Sequence, residues 1–152
     1  MLPTPKKVKL AVGKGEGNSE LTAFDRALLD AGIGNLNLIK VSSILPPNCE
    51  WEEDFEVPAG SLTPTAYGAA TSDKPGELIA AAIGIGFSSD DYGVIMEFHG
   101  HCSESQAAAA VEAMVREAFE VRGKELKKLM SRAVAHEVES IGSVVAAAVL
   151  WY

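Results

Sequence analysis

The sequence predicts an α+β fold. Two strongly helical segments stand among many strand-like ones, without the strand–helix–strand regularity of a parallel sheet and without an internal repeat. The strand-like segments are rich in Ala and Gly, which favours closely stacked layers over one bulky core. At 152 residues the chain is expected to form one domain over 1–152.

KVKLAVGKGEGN, starting at Lys7, reads as a strand that breaks into a glycine-rich turn at 13–17. SELTAFDRALLDAGIG reads as a helix, with Ser19 or Asn18 as N-cap and Gly32 just past its end. NLNLIKVS alternates Leu36 and Leu38 against Asn37 and Ile39, the period of a strand. The chain then meets two adjacent serines, Ser42 and Ser43, and runs into Pro46 and Pro47. A plain strand does not normally end this way, and a loop normally uses more Gly, Asn or Asp. Strands are expected near 62–71 and 77–87, and DYGVIMEFHG is a further one. SESQAAAAVEAMVREAFEVRG is the clearest helix. Ser103 and Gln106 form a capping box, Val111, Met114, Val115, Ala118 and Phe119 make an apolar stripe, and Gly123 ends it. LKKLMSRAVAHEV is ambiguous by propensity, and IGSVVAAAVLWY reads as a buried closing strand.

With 47% hydrophobic and 22% charged residues, the chain has a globular rather than a disordered composition. A net charge of −8 argues against nucleic acid as a partner, because phosphate binding needs clustered Lys and Arg. The basic segment KELKKLMSR is interleaved with apolar residues and reads as a solvated face. The longest apolar runs, LIAAAIGIGF and SVVAAAVLWY, reach about half of a membrane span, so no membrane association is expected. The N-terminal MLPTPKKVKLAV lacks the apolar core of a signal peptide, and two cysteines make no disulfide framework. The expected location is the cytoplasm.

Two acids occupy awkward positions. On a helical wheel of about 100° per residue with Leu21 at zero, Asp25 falls at about 40°, inside the apolar arc. A carboxylate on a packed face is costly unless it meets a cation or donors, so Asp25 is either paired internally or awaits a cationic ligand. In GVIMEFHG, Glu97 shares a strand face with Ile95 and His99, while Val94, Met96 and Phe98 share the other. Apolar neighbours raise a carboxyl pKa, which suits a proton donor near neutrality, although a salt bridge fits the sequence equally well. The HGHC run (His99, His101, Cys102) invites a zinc reading, but with only His136 and Cys49 as further His or Cys donors no metal site is expected. GKGEGN matches neither a dinucleotide fingerprint nor a P-loop.

LTAFDRALLDAGIGNLNLIKVSSILPP, followed by GVIMEFHG and the closing IGSVVAAAV, resembles the pyruvoyl-dependent arginine decarboxylases. The resemblance runs in order over nearly the whole chain, and the 21–47 block is its most specific part. It implies a four-layer αββα sandwich, a homotrimer with sites between subunits, and self-cleavage between Ser42 and Ser43 into chains 1–42 and 43–152. In that chemistry the Ser43 hydroxyl attacks the Ser42 carbonyl, and the resulting ester eliminates. The dehydroalanine left at 43 hydrolyses to a pyruvoyl group with loss of ammonia. This group replaces pyridoxal phosphate as the electron sink, through a Schiff base with the substrate amine, and no metal is needed. The resemblance further implies that L-arginine becomes agmatine and CO₂, in polyamine biosynthesis or arginine catabolism. Glu97 is then the proton donor, Asp25 binds the guanidinium, and Asn37 assists processing. Pro46 and Pro47 stiffen the strand end. The roles of Arg26 and His99 stay open. Two alternatives also stand: a pyruvoyl enzyme for another cationic amino acid, and a non-cleaving, non-enzymatic oligomer of the same fold.

Overall fold

The computed structural model describes residues 2–89 and 91–152, and these form two helices and two sheets. The chain starts with β1 (Lys7–Glu16), α1 (Glu20–Asp30), β2 (Asn37–Lys40) and the short strands β3 (Ile44–Leu45) and β4 (Glu50–Trp51). β5 (Leu62–Ser72), β6 (Leu78–Phe87) and β7 (Gly93–Gly100) precede α2 (Glu104–Val121), and β8 (Lys128–Glu137) and β9 (Gly142–Trp151) close the chain. One sheet has the order β2-β5-β9-β1-β4 and the other β3-β7-β6-β8. The long strands pair antiparallel, whereas β2 on β5 and β4 on β1 are parallel. The α+β expectation holds. Among the described residues no helix is long and apolar enough to cross a membrane.

Strand alternation sorts the core. Val144, Ala146, Ala148 and Leu150 of β9 meet Ile79, Ala81, Ile83 and Ile85 of β6 between the two sheets. Ala147 and Val149 face the other way, into a cluster that includes Leu28 of α1 and Ile33 just beyond its end. Ala80 and Ala82 of β6 pack on Ala107 and Val111 of α2. Ile, Val and Leu alternate with alanines between the sheets, while Ala147, Ala80 and Ala82 let the helices approach the outer faces. Both helices start at serine caps: Ser19 accepts from Thr22 N–H, and Ser103 from Gln106 N–H within the expected capping box. Gly32 and Gly123, with φ of +79° and +63°, follow the helix ends as anticipated.

β8 resolves the ambiguous segment as strand. Met130 and Val134 reach the inter-sheet core, and Ala133 and Ala135 pack on the α2 side, where Ser131 donates to Glu112 of α2 at 2.7 Å. A period of two satisfies both faces at once, which overrides helical propensity.

Two expectations need correction. GKGE is no turn: β1 runs on through Gly13 and Gly15 to Glu16, paired with β9 throughout. These glycines are there because α1 lies so close. A Cβ at Gly15 would sit 2.7 Å from Arg26 Cβ, and one at Gly13 would run into the Ala27 carbonyl. The second correction is the phase of α1. Its buried residues are Ala23 and Ala27, while Leu21 is 76% exposed, so the apolar arc is centred away from Leu21 and Asp25 lies on the exposed side.

Candidate active site

The serine pair marks where the chain passes from one sheet to the other. Val41 N–H donates to Thr65 of β5 at 3.1 Å, the last bond on the β2 side. Ser43 already belongs to the second sheet, its carbonyl accepting from Ile95 N–H of β7 at 2.7 Å. Ile44 and Leu45 then pair with Val94 and Gly93, and Leu45 is buried. The Ser42–Ser43 peptide is thus tethered on both sides, with Ser42 exposed and Ser43 half-buried. Downstream, Pro46 and Pro47 lead into a turn closed by Cys49 N–H on the Pro46 carbonyl at 3.2 Å, with Asn48 at φ +64°.

Glu97 lies two residues beyond Ile95 on β7, on the same face and about 7 Å along the strand. It stands opposite Ile83 of β6 and against β5, where a Cβ on Gly68 would lie 3.3 Å from its own Cβ. Val94, Met96 and Phe98 turn to the α2 side, as the alternation predicts. Lys40 Nζ approaches Glu97 Oε1 to 3.7 Å and sits 4.8 Å above the Tyr67 ring. Burial pushes the Glu97 carboxyl above its ordinary value and outweighs the opposing pull of Lys40 and, more weakly, His99. Both sequence readings of Glu97 are therefore met together, a raised acid that also has an ion-pair partner.

The other candidates lie elsewhere in the single chain. Asn37 opens β2, six residues before Ser43, and its Nδ2 donates to the Gly60 carbonyl at 2.8 Å. Asp25 lines a groove of about 540 Å³ with Glu16, Asn18, Thr22, Arg26, Glu139 and Ser140, and none of these residues belongs to the Ser43–Glu97 corner. Among the described residues its carboxylate has no hydrogen bond or ion pair. At the groove floor, Glu16 is 2.7 Å from His136 Nε2 and accepts from Ser140 and Glu139 N–H at 2.7 and 3.2 Å. Burial opposes its charge, but these donors prevail and hold the carboxyl below its ordinary value. His99 is exposed, His101 pairs with Glu77 at 3.1 Å, and the Cys49 thiol is pushed up to about 11 by burial and by Glu50.

Lys40 is the site residue that the sequence reading overlooks. Its signal is phase: it continues the Leu36–Leu38 alternation, a cation where an inward-facing residue is expected.

A family model described as pyruvoyl-dependent arginine decarboxylase matches residues 7–152. The chain is 49% identical over 150 residues to the pyruvoyl-dependent arginine decarboxylase of Methanocaldococcus jannaschii, covering 97% of this chain and 91% of that one. It is 45% identical over 150 residues to the protein of that name from Methanococcus aeolicus, with coverages of 97% and 91%. To the one from Pyrococcus abyssi it is 44% identical over 129 residues, with coverages of 83% and 82%.

Proposed function

The chain belongs to the pyruvoyl-dependent arginine decarboxylase family, and from that premise we propose that it is a carboxy-lyase converting L-arginine to agmatine and CO₂. The observation that carries the reading at residue level is the serine pair strung between two sheets. Self-processing needs a short hydroxyl side chain held against its own backbone. The bonds at Val41 and Ser43 support this by fixing the chain on either side of the reacting peptide. Ser43 Oγ adds to the Ser42 carbonyl carbon and the Ser42–Ser43 C–N bond breaks, leaving an ester. Loss of the Ser43 Cα proton with cleavage of the Cβ–Oγ bond then frees the Ser42 carboxylate and opens the chain into 1–42 and 43–152.

The residues present fit a pyruvoyl group at position 43. The position is half-buried and sits just before β3, its carbonyl bonded to Ile95, two residues along β7 from the raised acid Glu97. When present, that group supplies the sink for the electron pair left as CO₂ departs. Glu97 then delivers a proton to the substrate carbon, a role that its raised pKa supports. The unpartnered carboxylate of Asp25 suits a planar guanidinium, which it can receive by two parallel hydrogen bonds. In one chain Asp25 stands apart from Glu97, which supports an oligomer, a homotrimer by family resemblance, whose sites form between subunits. In such an assembly Asn37 can act on a neighbouring site. The inter-sheet core and the three helix-facing clusters support a four-layer αββα arrangement for the domain.

The test is intact mass under denaturing conditions. Wild-type protein should give two chains, the larger blocked to N-terminal sequencing, while Ser43→Ala gives one full-length chain that releases no CO₂. An intact wild-type chain that still decarboxylates arginine overturns the assignment of Ser43.

A further inference from the structure

Glu97 has one cation within ion-pair distance among the described residues, and that cation is unusually well held. Lys40 reaches it from β2 at 3.7 Å while the Tyr67 ring lies beneath the ammonium at 4.8 Å. Tyr67 is itself seated against Phe24 of α1, with ring centroids 6.2 Å apart. A lysine on an edge strand with 55% of its side chain exposed would normally sample many rotamers. Here the ring and the carboxylate hold it from two sides, three residues before Ser43. We infer that Lys40 is a positioning residue of the decarboxylation, its ammonium anchoring the carboxyl of Glu97 at the sheet corner that carries Ser43.

The inference deepens the reading of Glu97 as proton donor and rests on it. Two consequences follow from the same contact. An anchored carboxyl keeps its proton aimed at one point in space, and misplacement of a reacting group lowers turnover steeply. The cation also favours the ionised form, working against the burial that keeps Glu97 protonated. The charged groups acting on Glu97 are Lys40 from β2 and His99 on β7 itself; β5 meets it with Gly68, and β3 and the paired stretch of β6 bring Leu45 and Ile83 to the same face. Lys40 is thus the dominant charge on this acid. Removing it should let Glu97 keep its proton to higher pH while leaving it less well placed.

The first experiment follows the Glu97 side-chain carboxyl by carbon NMR across pH, in full-length Ser43→Ala protein with and without Lys40→Met. This readout needs neither processing nor turnover. The Glu97 titration should move up by about half to one pH unit without Lys40, at the low end of an ion-pair effect because the lysine is half exposed. Added salt should move it up in the chain that keeps Lys40 and leave the Lys40→Met chain nearly unchanged, a check that holds without any further variant. In processed enzyme, Lys40→Met should carry the alkaline limb of kcat up by a similar interval and lower the plateau roughly tenfold through lost placement. Lys40→Arg should restore most of both. Superposable Glu97 titrations with and without Lys40 overturn the inference alone. A processed Glu97→Gln enzyme with normal turnover overturns instead the reading on which it rests.

Discussion

Glu97 shows how much one side chain depends on competing fields. Burial favours its neutral form and Lys40 its charged form, and burial prevails. A proton donor to carbon acts in its protonated form, so CO₂ release should fall as pH rises through the raised Glu97 value and hold below it. Glu97→Gln keeps shape and hydrogen bonding but has no proton to transfer. Chain cleavage should survive that change while turnover drops by about 10²–10⁴, the usual contribution of a positioned acid. Gel analysis and CO₂ release on one preparation check both halves. Near-normal CO₂ release from a cleaved Glu97→Gln protein would transfer the role to another group, His99 being the nearest titratable one on β7. The pattern of GVIMEFHG already shows that Glu97 sits on the Ile95 face. It carries no sign of Lys40, because that contact joins residues 57 positions apart on different sheets.

At the scale of elements, Glu16 does for the hairpin of β8 and β9 what a cap does for a helix. One carboxylate at the end of β1 gathers His136 and the Glu139 and Ser140 amides. The pKa of Glu16 is lowered on folding, so its contribution to stability is full above the ordinary carboxylate value of 4.5. That contribution is lost as pH falls through the lower folded value. Glu16→Gln should therefore destabilise the protein near neutrality by about 1.5 kcal/mol, the low end for bonds to a charged group at a partly exposed site. The gap should close in acid, below the lowered Glu16 value, where wild-type Glu16 also loses its charge. Melts of both proteins at the two pH values measure it, and an equal gap at both would mean that charge is irrelevant to the clamp. Element identity was largely legible in the sequence. β6 and β9 are continuous apolar runs because both their faces are covered, and the caps of both helices stand at the anticipated serines. The failures share one cause. Gly13 and Gly15 look like a turn, and Leu21 looks like core, until α1 is placed against β1. Helix–sheet distance is a tertiary quantity that local pattern does not encode.

For the molecule as a whole, the candidate site is divided. Ser43, Lys40 and Glu97 share one corner, whereas Asp25 opens into the Glu16–Ser140 groove and Asn37 is engaged with Gly60. No local pattern could announce this, since it depends on which strands meet and at what register. If the site forms between subunits, the acid and the guanidinium-binding carboxylate come from different copies, and two inactive variants can repair each other. Asp25→Asn and Glu97→Gln subunits should each be nearly inactive alone at limiting arginine. Dissociated together and reassembled at equal amounts, about one interface in four should pair an intact Asp25 with an intact Glu97, from half the subunits on each side. Recovered CO₂ release should then approach about a quarter of the wild-type rate, while mock-reassembled single variants stay inactive. Cleavage is checked on the same samples, since both variants keep Ser42 and Ser43. Mixed assemblies that form but recover nothing would mean that Asp25 and Glu97 of one chain serve the same substrate, through a rearrangement of α1 relative to β7 on assembly.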